Sequence, residues 1–449
     1  MVYKLLERIY IVENNSNDSK DFLLFNPYYN TMIKLTPDFK NRFTNSQFQP
    51  EEITALSSLE MLKNKEISEL QFFKKWYFRN KFNTGNTRNY FLILTDLCNF
   101  NCSYCVEKNI QKHTGKISQE LIKKSINFIK SDIETNSIKF SRITLFGGEP
   151  LLALHNYTEE LIDLNKWLLL NNIKKEFYIV TNGSLLTPKK IELLSQISLN
   201  KIRITIDGLT ENHNSNRPFK GGAGSFDIIM KNLENLKAAP EIAVSIGINV
   251  DNNNIQDVYE LIDMLGAIRN SGVNIDGINI KPIMNHYGKK SQANCGSTMT
   301  TLLDKKFFEN FKKLTLYSLN NHFKTPNVIG STFCAMFTDG RDVAIGPDGN
   351  IYACPAAVGN PDFITSELNG TKKLLYNKTY HDKLLDYPEE CLDCKYLPLC
   401  LGGCPYEAYS QTGSIHNKFC AKEYYDNYLD ELIKLESVRV KTIQSFSIK

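Results

Sequence analysis

Residues Tyr90 to Glu107 read YFLILTDLCNFNCSYCVE, and the fold is decided there. The apolar run from Tyr90 to Leu94 has the length and composition of a buried strand. Three cysteines follow at once, Cys98, Cys102 and Cys105, in a C-x3-C-x2-C spacing. Three thiolates on one short loop can take three corners of a metal centre and leave the fourth open. Structural zinc wants four protein ligands in a closed tetrahedron. A [4Fe–4S] cluster also takes four, and three cysteines leave one iron free for another ligand. The spacing favours the cluster, with structural zinc as the second reading.

From residue 90 onward, short β-branched runs alternate with amphipathic stretches. Strands are expected at 90–95, 142–146, 177–181, 202–206, 243–250 and 277–282, and helices near 118–132, 157–172, 187–198, 225–238 and 253–269. Ser118 and Thr187 stand where helix caps belong, and Pro188 sits in a first turn where its missing N–H costs nothing. Such alternation implies a parallel sheet of six strands, open or curled as part of a barrel. Working groups then gather at the C-terminal strand ends. The first strand runs into the cysteine loop and the second into Gly147-Gly148-Glu149-Pro150. The third ends in Thr181-Asn182-Gly183, the fourth in Thr205, Asp207 and Gly208 with Arg217 beyond, and the fifth in Asn249 and Asp251. Paired glycines permit close backbone approach, and their N–H and C=O groups suit a zwitterionic amino-acid moiety. Each dipeptide alone reads as a turn; their shared end of one sheet is what argues for a site. Gly221–Gly224 lacks a preceding strand and is read as a loop, and His213 as a loop residue.

The cysteine loop, with Tyr104 before its last cysteine, resembles the signature of the radical S-adenosylmethionine (SAM) enzymes, and the GGEP segment fits the same family. The resemblance implies a partial (β/α)6 barrel in which the open iron chelates the amino and carboxylate groups of SAM. It implies that Gly147, Gly148, Glu149 and Pro150 meet the methionine end, and it makes Tyr104, Asn182, Thr205, Arg217 and Asn249 candidate SAM contacts.

The eleven cysteines are absent from the first 97 residues, and all but Cys295 crowd into the loop above and the region from Cys334 to Cys420. A disulfide scaffold would be short and carry a signal sequence. The N-terminus has charges inside its apolar run and no small-residue cleavage site. No apolar stretch is long enough for a membrane span. A net charge of +4 over 449 residues makes no case for nucleic acid. A cytoplasmic metalloprotein of two or three domains is expected.

Cys334, Gly349 and Cys354, then Cys391-x2-Cys394-x5-Cys400-x3-Cys404 and Cys420, resemble the SPASM domain of peptide- and protein-modifying radical SAM enzymes. The resemblance implies two auxiliary [4Fe–4S] clusters, one on Cys391, Cys394, Cys400 and Cys420 and one on Cys334, Cys354 and Cys404. The second lacks an obvious fourth ligand: either Cys295 returns to it or an iron stays open. Pro347-Asp348-Gly349-Asn350 is expected to turn a hairpin, and 423–440 to form a terminal amphipathic helix.

In residues 1–85, strands are expected at Lys4–Glu13, Asp21–Asn26 and Thr31–Thr36, then a helix from Glu51 to Leu70. Phe72–Lys81 is aromatic and basic and is read as a bridge to the next domain, with a nucleic-acid stacking surface as the alternative. This unit resembles the winged-helix-like module that docks leader peptides by strand addition; a domain that merely packs on the barrel is the plainer reading. The α/β chain is thus expected to comprise a recognition domain (1–85), a radical SAM partial barrel (86–310) and a Cys-rich SPASM domain (311–449).

The resemblance implies three [4Fe–4S] clusters and SAM, a 5′-deoxyadenosyl radical, and hydrogen abstraction from a ribosomally made precursor peptide with a leader. A thioether crosslink leads and a carbon–carbon link follows. A reductant such as flavodoxin or ferredoxin is implied. Formylglycine formation, as in anaerobic sulfatase maturases, is the alternative; that subclass carries an aspartate after the cysteine matching Cys354, where this chain has Pro355. A non-catalytic iron–sulfur binding or electron-transfer protein is the alternative from another class.

Overall fold

A computed structural model describes residues 3–16, 19–45, 47–82, 85–105, 115–283, 303–330, 334, 342–368, 389–415 and 417–446. Cys295 lies outside them. The chain divides into two compact units, one of Met1–Asn83, Asn327–Cys334 and Lys383–Lys449, the other of Thr84–Pro326 and Ala335–Asp382.

The first unit joins the N-terminal residues to the C-terminal cysteine segment. Strand Lys4–Glu13 proves to be two, β1 (Tyr3–Leu5) and β2 (Tyr10–Ser16), in different sheets. Between them the backbone N–H groups of Glu7 and Arg8 donate to the buried Glu69 carboxylate, which interrupts the ladder. β2, β3 (Ser19–Asn26) and β4 (Thr31–Leu35) form an antiparallel meander. The expected helix 51–70 is broken. Pro50–Ser58 is helical, Glu60 turns at φ 55°, and β5 (Leu62–Asn64) pairs antiparallel with β1. A new helix, Glu69–Phe82, follows. Its start is a reciprocal cap between Ser68 and Gln71, an S-x-x-Q signal present in the sequence. Phe72–Lys81 lies inside this helix with Phe73, Trp76 and Tyr77 buried, and Trp76 Nε1 donates to Tyr28 O at 2.8 Å. The stretch is a core helix face and not a stacking surface, and its helix ends at Phe82, next to the unit boundary after Asn83. The terminal helix, Lys422–Phe446, packs on β2 and β3.

The second unit is built on a nine-stranded sheet. β6 (Thr87–Thr95), β7 (Phe140–Gly147), β8 (Lys174–Thr181), β9 (Lys201–Thr205), β10 (Ala243–Val250) and β11 (Ile275–Pro282) are parallel neighbours in chain order. β12 (Asp342–Ile345) pairs parallel with the free side of β6. β13 (Asn350–Tyr352) and β14 (Ile364–Glu367) then extend the sheet antiparallel. The β12–β13 hairpin turns at Gly349, φ 81°, as its Asp-Gly dipeptide predicts. One side of the sheet carries Leu92, Ile143, Leu145, Phe177, Ile179, Ile202, Ile204 and Ile246, all fully buried in the core shared with the helices. Because side chains alternate between faces, the other side shows Arg142, Glu176, Tyr178, Arg203 and Ser245, which are only half-buried. These line a polar cavity of about 580 Å³. A parallel sheet with one polar face has a chamber on that face, since buried polar groups need partners or water. No described helix is long and apolar enough to cross a membrane.

Candidate active site

The cysteine loop leaves β6 and is buttressed at three places by groups other than its thiols. The first is the end of β7. Gly148 N donates to Thr95 O at 3.0 Å and Glu149 N to Leu97 O at 2.8 Å. Gly147 has φ 125°, and a Cβ there would stand 2.2 Å from Thr95 O; one on Gly148 would stand 2.3 Å from Leu97 O. The two glycines are therefore required by the chain's own loop. Their neighbouring N–H groups are committed, so the segment's offer to a zwitterion is carbonyl oxygen, an acceptor for an ammonium.

Glu149 points inward. Its carboxylate is fully buried and accepts from Thr181 Oγ1 and Asn182 N at 2.7 Å each and from Leu151 N at 3.0 Å, strapping the ends of β7 and β8 together. Burial pushes its carboxyl up, and those three bonds pull against that. Pro150 opens a 3₁₀ turn behind it.

The second buttress is the end of β8. Asn182 Nδ2 donates to Asn99 Oδ1 at 2.8 Å and lies 3.9 Å from Cys98 Sγ, while Asn99 Nδ2 donates to Ser184 Oγ at 2.9 Å. The third is the segment after β9. Asn101 N donates to Pro218 O, Ser103 N to Asn216 O, and Lys220 N to Asn99 O, all within 3.0 Å. Phe100 packs edge-on against Phe219, ring centres 4.9 Å apart.

Tyr104, Arg217 and Asn249 converge on one buried carboxylate, Asp207. The Tyr104 hydroxyl donates to Asp207 Oδ2 and accepts from Arg217 Nη1 at 2.7 Å and from Asn249 Nδ2 at 3.0 Å, using its full capacity. Asn249 N donates to Asp207 Oδ1 at 2.8 Å, and Arg217 Nη1 lies 3.7 Å from Oδ2. Burial pushes the Asp207 carboxyl up; the Arg217 guanidinium opposes it. Asp207 is the residue that strand-end reading undervalued, because Asp-Gly passes for a plain turn. Thr205 lies at the end of β9 beside Gly247 of β10 and is half-buried.

His213 is no loop residue: it sits fully buried in the helix Thr210–Asn216. Its Nδ1 accepts from Asp207 N at 3.1 Å. Ser225 Oγ gives its proton to Arg217 O at 2.7 Å, so its 3.0 Å contact with His213 Nε2 makes Nε2 the donor. The imidazole is a fixed neutral tautomer tying Asp207 to the Arg217 segment, and burial holds its pKa down to about 3. Changing Asp207 to Asn should lower stability by about 3–5 kcal/mol, since it leaves Arg217 buried without its counter-charge. Anaerobic denaturant titration reads this. An unchanged midpoint would mean that another group balances Arg217.

These residues fit a cluster with SAM on its open iron. Three thiols sit on a loop held from outside, and the buried Arg217 Nε has no partner among the described residues, which leaves a donor for a carboxylate. In the first unit, Cys391, Cys394, Cys400 and Cys420 line one cavity of about 500 Å³. Burial pushes the Cys400 thiol up to about 11, and the other three thiols of this set add to it. Among the described residues no three His, Cys, Asp or Glu side chains could hold a single metal ion. Thiols spread around a cavity suit a cluster, which distributes its ligands over several irons. Cys404 stands at the N-cap position of the helix Pro405–Thr412. Cys334 belongs to the first unit and Cys354, at the start of the turn Pro355–Ala357, to the second.

Residues 92–265 match the family model described as Radical SAM superfamily. The chain is 26% identical over 385 residues to the radical SAM cyclopropyl synthase TigE of Paramaledivibacter caminithermalis, covering 77% of this chain and 72% of that protein. It is 25% identical over 330 residues to a cysteine-type anaerobic sulfatase-maturating enzyme of Clostridium perfringens, covering 68% and 85%. Among solved structures, native anSMEcpe with bound AdoMet aligns at a TM-score of 0.61 and 21% identity, over 78% of this chain and 99% of that one. Streptococcus suis SuiB bound to S-adenosylmethionine aligns at 0.52 and 16%, over 94% and 99%. These likenesses show a common fold.

Proposed function

We propose that the protein is a radical SAM maturase of a ribosomally made peptide, installing a crosslink, with a thioether leading and a carbon–carbon bond second. The observation that carries this is the cysteine loop itself, three thiols buttressed at the ends of β7, β8 and β9 inside a segment that matches the radical SAM model. Cys98, Cys102 and Cys105 would hold the first [4Fe–4S] cluster. Bound there, cluster and SAM supply a 5′-deoxyadenosyl radical. The carbonyls of Gly147 and Gly148 would take the ammonium of SAM, and Arg217 its carboxylate. Thr205 and Asn249 would face the ribose, with Tyr104 and Asp207 fixing Arg217 and Asn249. Asn182 acts from behind, as a donor beside Cys98, and Glu149 and Pro150 set the angle of the glycine segment.

The seven cysteines from Cys334 to Cys420 would carry two auxiliary clusters, able to accept the electron a new bond releases. A reductant of flavodoxin or ferredoxin type would supply the first electron. The N-terminal meander has two outer strands, β2 and β4, and strand addition there would suit a leader peptide. We retain residues 1–85, 86–310 and 311–449 as the functional segments of this reading.

Formylglycine formation is the second reading, favoured by the sulfatase-maturating relative. Against it, Pro355 follows Cys354 and offers no carboxylate base. Anaerobic reconstitution with iron and sulfide, then dithionite and SAM, should yield 5′-deoxyadenosine. A fully iron-loaded protein that makes none would be a binding or electron-transfer protein instead. Loss of 2 Da per crosslink from a co-expressed precursor peptide supports the first reading, whereas formylglycine in a sulfatase-derived peptide supports the second.

A further inference from the structure

We infer that the N-terminal domain completes the auxiliary-cluster site, with Arg8 and Tyr10 as positioning residues for the Cys391–Cys394 knuckle; this rests on the reading of Cys391, Cys394, Cys400 and Cys420 as cluster ligands. Nearly four hundred residues separate the partners in sequence, yet two side chains of the N-terminal domain end on main-chain carbonyls of the knuckle. An Arg8 guanidinium nitrogen donates to Leu392 O, and Tyr10 OH donates to Lys395 O at 2.7 Å. The Tyr10 ring stacks on Tyr396, centres 6.3 Å apart, and Tyr396 lines the four-cysteine cavity. Tyr10 stacks in turn on Phe25 of β3 at 6.4 Å.

Arg8 is presented by a built arrangement. The buried Glu69 takes the backbone N–H groups of Glu7 and Arg8, the Tyr28 hydroxyl and the Lys63 ammonium. Glu69 is thereby fully engaged, and Arg8 has no carboxylate within ion-pair distance among the described residues. Its guanidinium lies over Phe73 at 5.7 Å, and its Nη1 is buried without a partner. Glu69 is the anion beside it, but its one charge is shared with the Lys63 ammonium, and a buried cation left partly unbalanced is costly. Four thiolates on an iron–sulfur cube next to Leu392 would provide the missing negative charge. Leu392, the carbonyl that Arg8 reaches, lies between Cys391 and Cys394, which places cation and ligands in one neighbourhood. Groups around a cluster set its potential, and a cation favours the more negative, reduced state.

Contact of this kind works in both directions. Whatever docks on the meander acts on the knuckle through β2, and the state of the cluster acts on the meander. The test uses full-length reconstituted protein carrying alanine at Cys98, Cys102 and Cys105, so that only auxiliary clusters report. Arg8→Met and Tyr10→Phe should keep the iron content. In an EPR-monitored potentiometric titration, Arg8→Met should move to more negative potential the couple that Cys391→Ala removes. The expected change is about tenfold in the reduced-to-oxidised ratio at fixed potential, or about 59 mV for one electron. Arg8→Lys should restore part of the shift. Tyr10→Phe should move it less, because the charge stays. In the reciprocal arm, Cys391→Ala/Cys394→Ala should speed amide hydrogen exchange in residues 3–16. An unmoved couple, or unchanged exchange in that segment, overturns the inference. Absence of any Cys391-dependent cluster would overturn the ligand reading beneath it.

Discussion

Alanine at Cys98, Cys102 and Cys105 together is expected to abolish 5′-deoxyadenosine formation while leaving a folded protein with about two thirds of its iron. The first half follows from chemistry: without those thiolates no open iron exists to bind a sulfonium donor. The second half follows from how the loop is held. Its anchors are main-chain bonds from Gly148, Glu149, Asn101 and Ser103, the Asn99–Asn182–Ser184 amide and hydroxyl contacts, and the Phe100–Phe219 packing. Cys98 Sγ adds only long contacts to these, from Phe100 N at 3.4 Å and Asn182 Nδ2 at 3.9 Å. Burial already pushes the Cys98 thiol up to about 11, so replacing it with a methyl group removes no counter-charge. Denaturant midpoint and far-ultraviolet dichroism should therefore stay close to those of the unaltered apoprotein. Iron and acid-labile sulfide fall by about one third, in keeping with three independent clusters. Residual 5′-deoxyadenosine from the triple variant would refute the assignment. Loss of all iron would show that the C-terminal cysteines do not hold clusters of their own.

What the sequence made legible was local. The six strands and the caps at Ser118 and Thr187 follow from period and from capping chemistry, and both caps receive the expected backbone N–H. The hairpin at Gly349 follows from Asp-Gly. What stayed hidden was relational. Nothing near Asp207 says that residues 104, 217 and 249 will meet on it, since the contacts from Tyr104 and Asn249 span 103 and 42 positions and depend on how the strands stack. His213 looked like a loop residue because a polar TENHNSN run has no apolar face, yet two hydrogen bonds offset the cost of its burial. In the N-terminal domain, the continuous apolar spacing from Ile53 to Leu62 hid a helix end. There Leu62 leaves the helix to pair with Leu5, a contact that no window of neighbouring residues contains. In sequence the glycines of GGEP read as a seat for a ligand; in the structure their nearest neighbours are carbonyls of the chain's own cysteine loop.

That last finding sets the second large effect. Gly148→Ala is expected to reduce SAM cleavage about a hundredfold or more, because displacing a catalytic loop by about 1 Å costs that much in rate. At Gly148 the added methyl would meet Leu97 O at 2.3 Å, Leu97 C at 2.5 Å and Asp96 O at 2.9 Å. All three are main-chain atoms, so no rotamer change relieves the overlap, and the peptide that leads into Cys98 has to move. The backbone at Gly148 is not in the left-handed region, so the penalty is one of contact and not of torsion. Gly147→Ala adds torsional strain at φ 125° to a 2.2 Å overlap with Thr95 O and should unfold more easily as well. Gly266→Ala is the internal control. It lies in the helix Val258–Asn270 with nothing within 4 Å of the added carbon. Alanine there should leave SAM cleavage unchanged and stabilise the helix by up to about 1 kcal/mol. Iron content separates the two ways Gly148→Ala could fail. A variant that keeps its clusters but turns over slowly has a misplaced SAM seat, whereas one that loses a third of its iron has a cysteine loop that no longer closes. Full activity in Gly148→Ala would mean that the loop tolerates the shift and that the approach of β7 to Cys98 does not position the reaction.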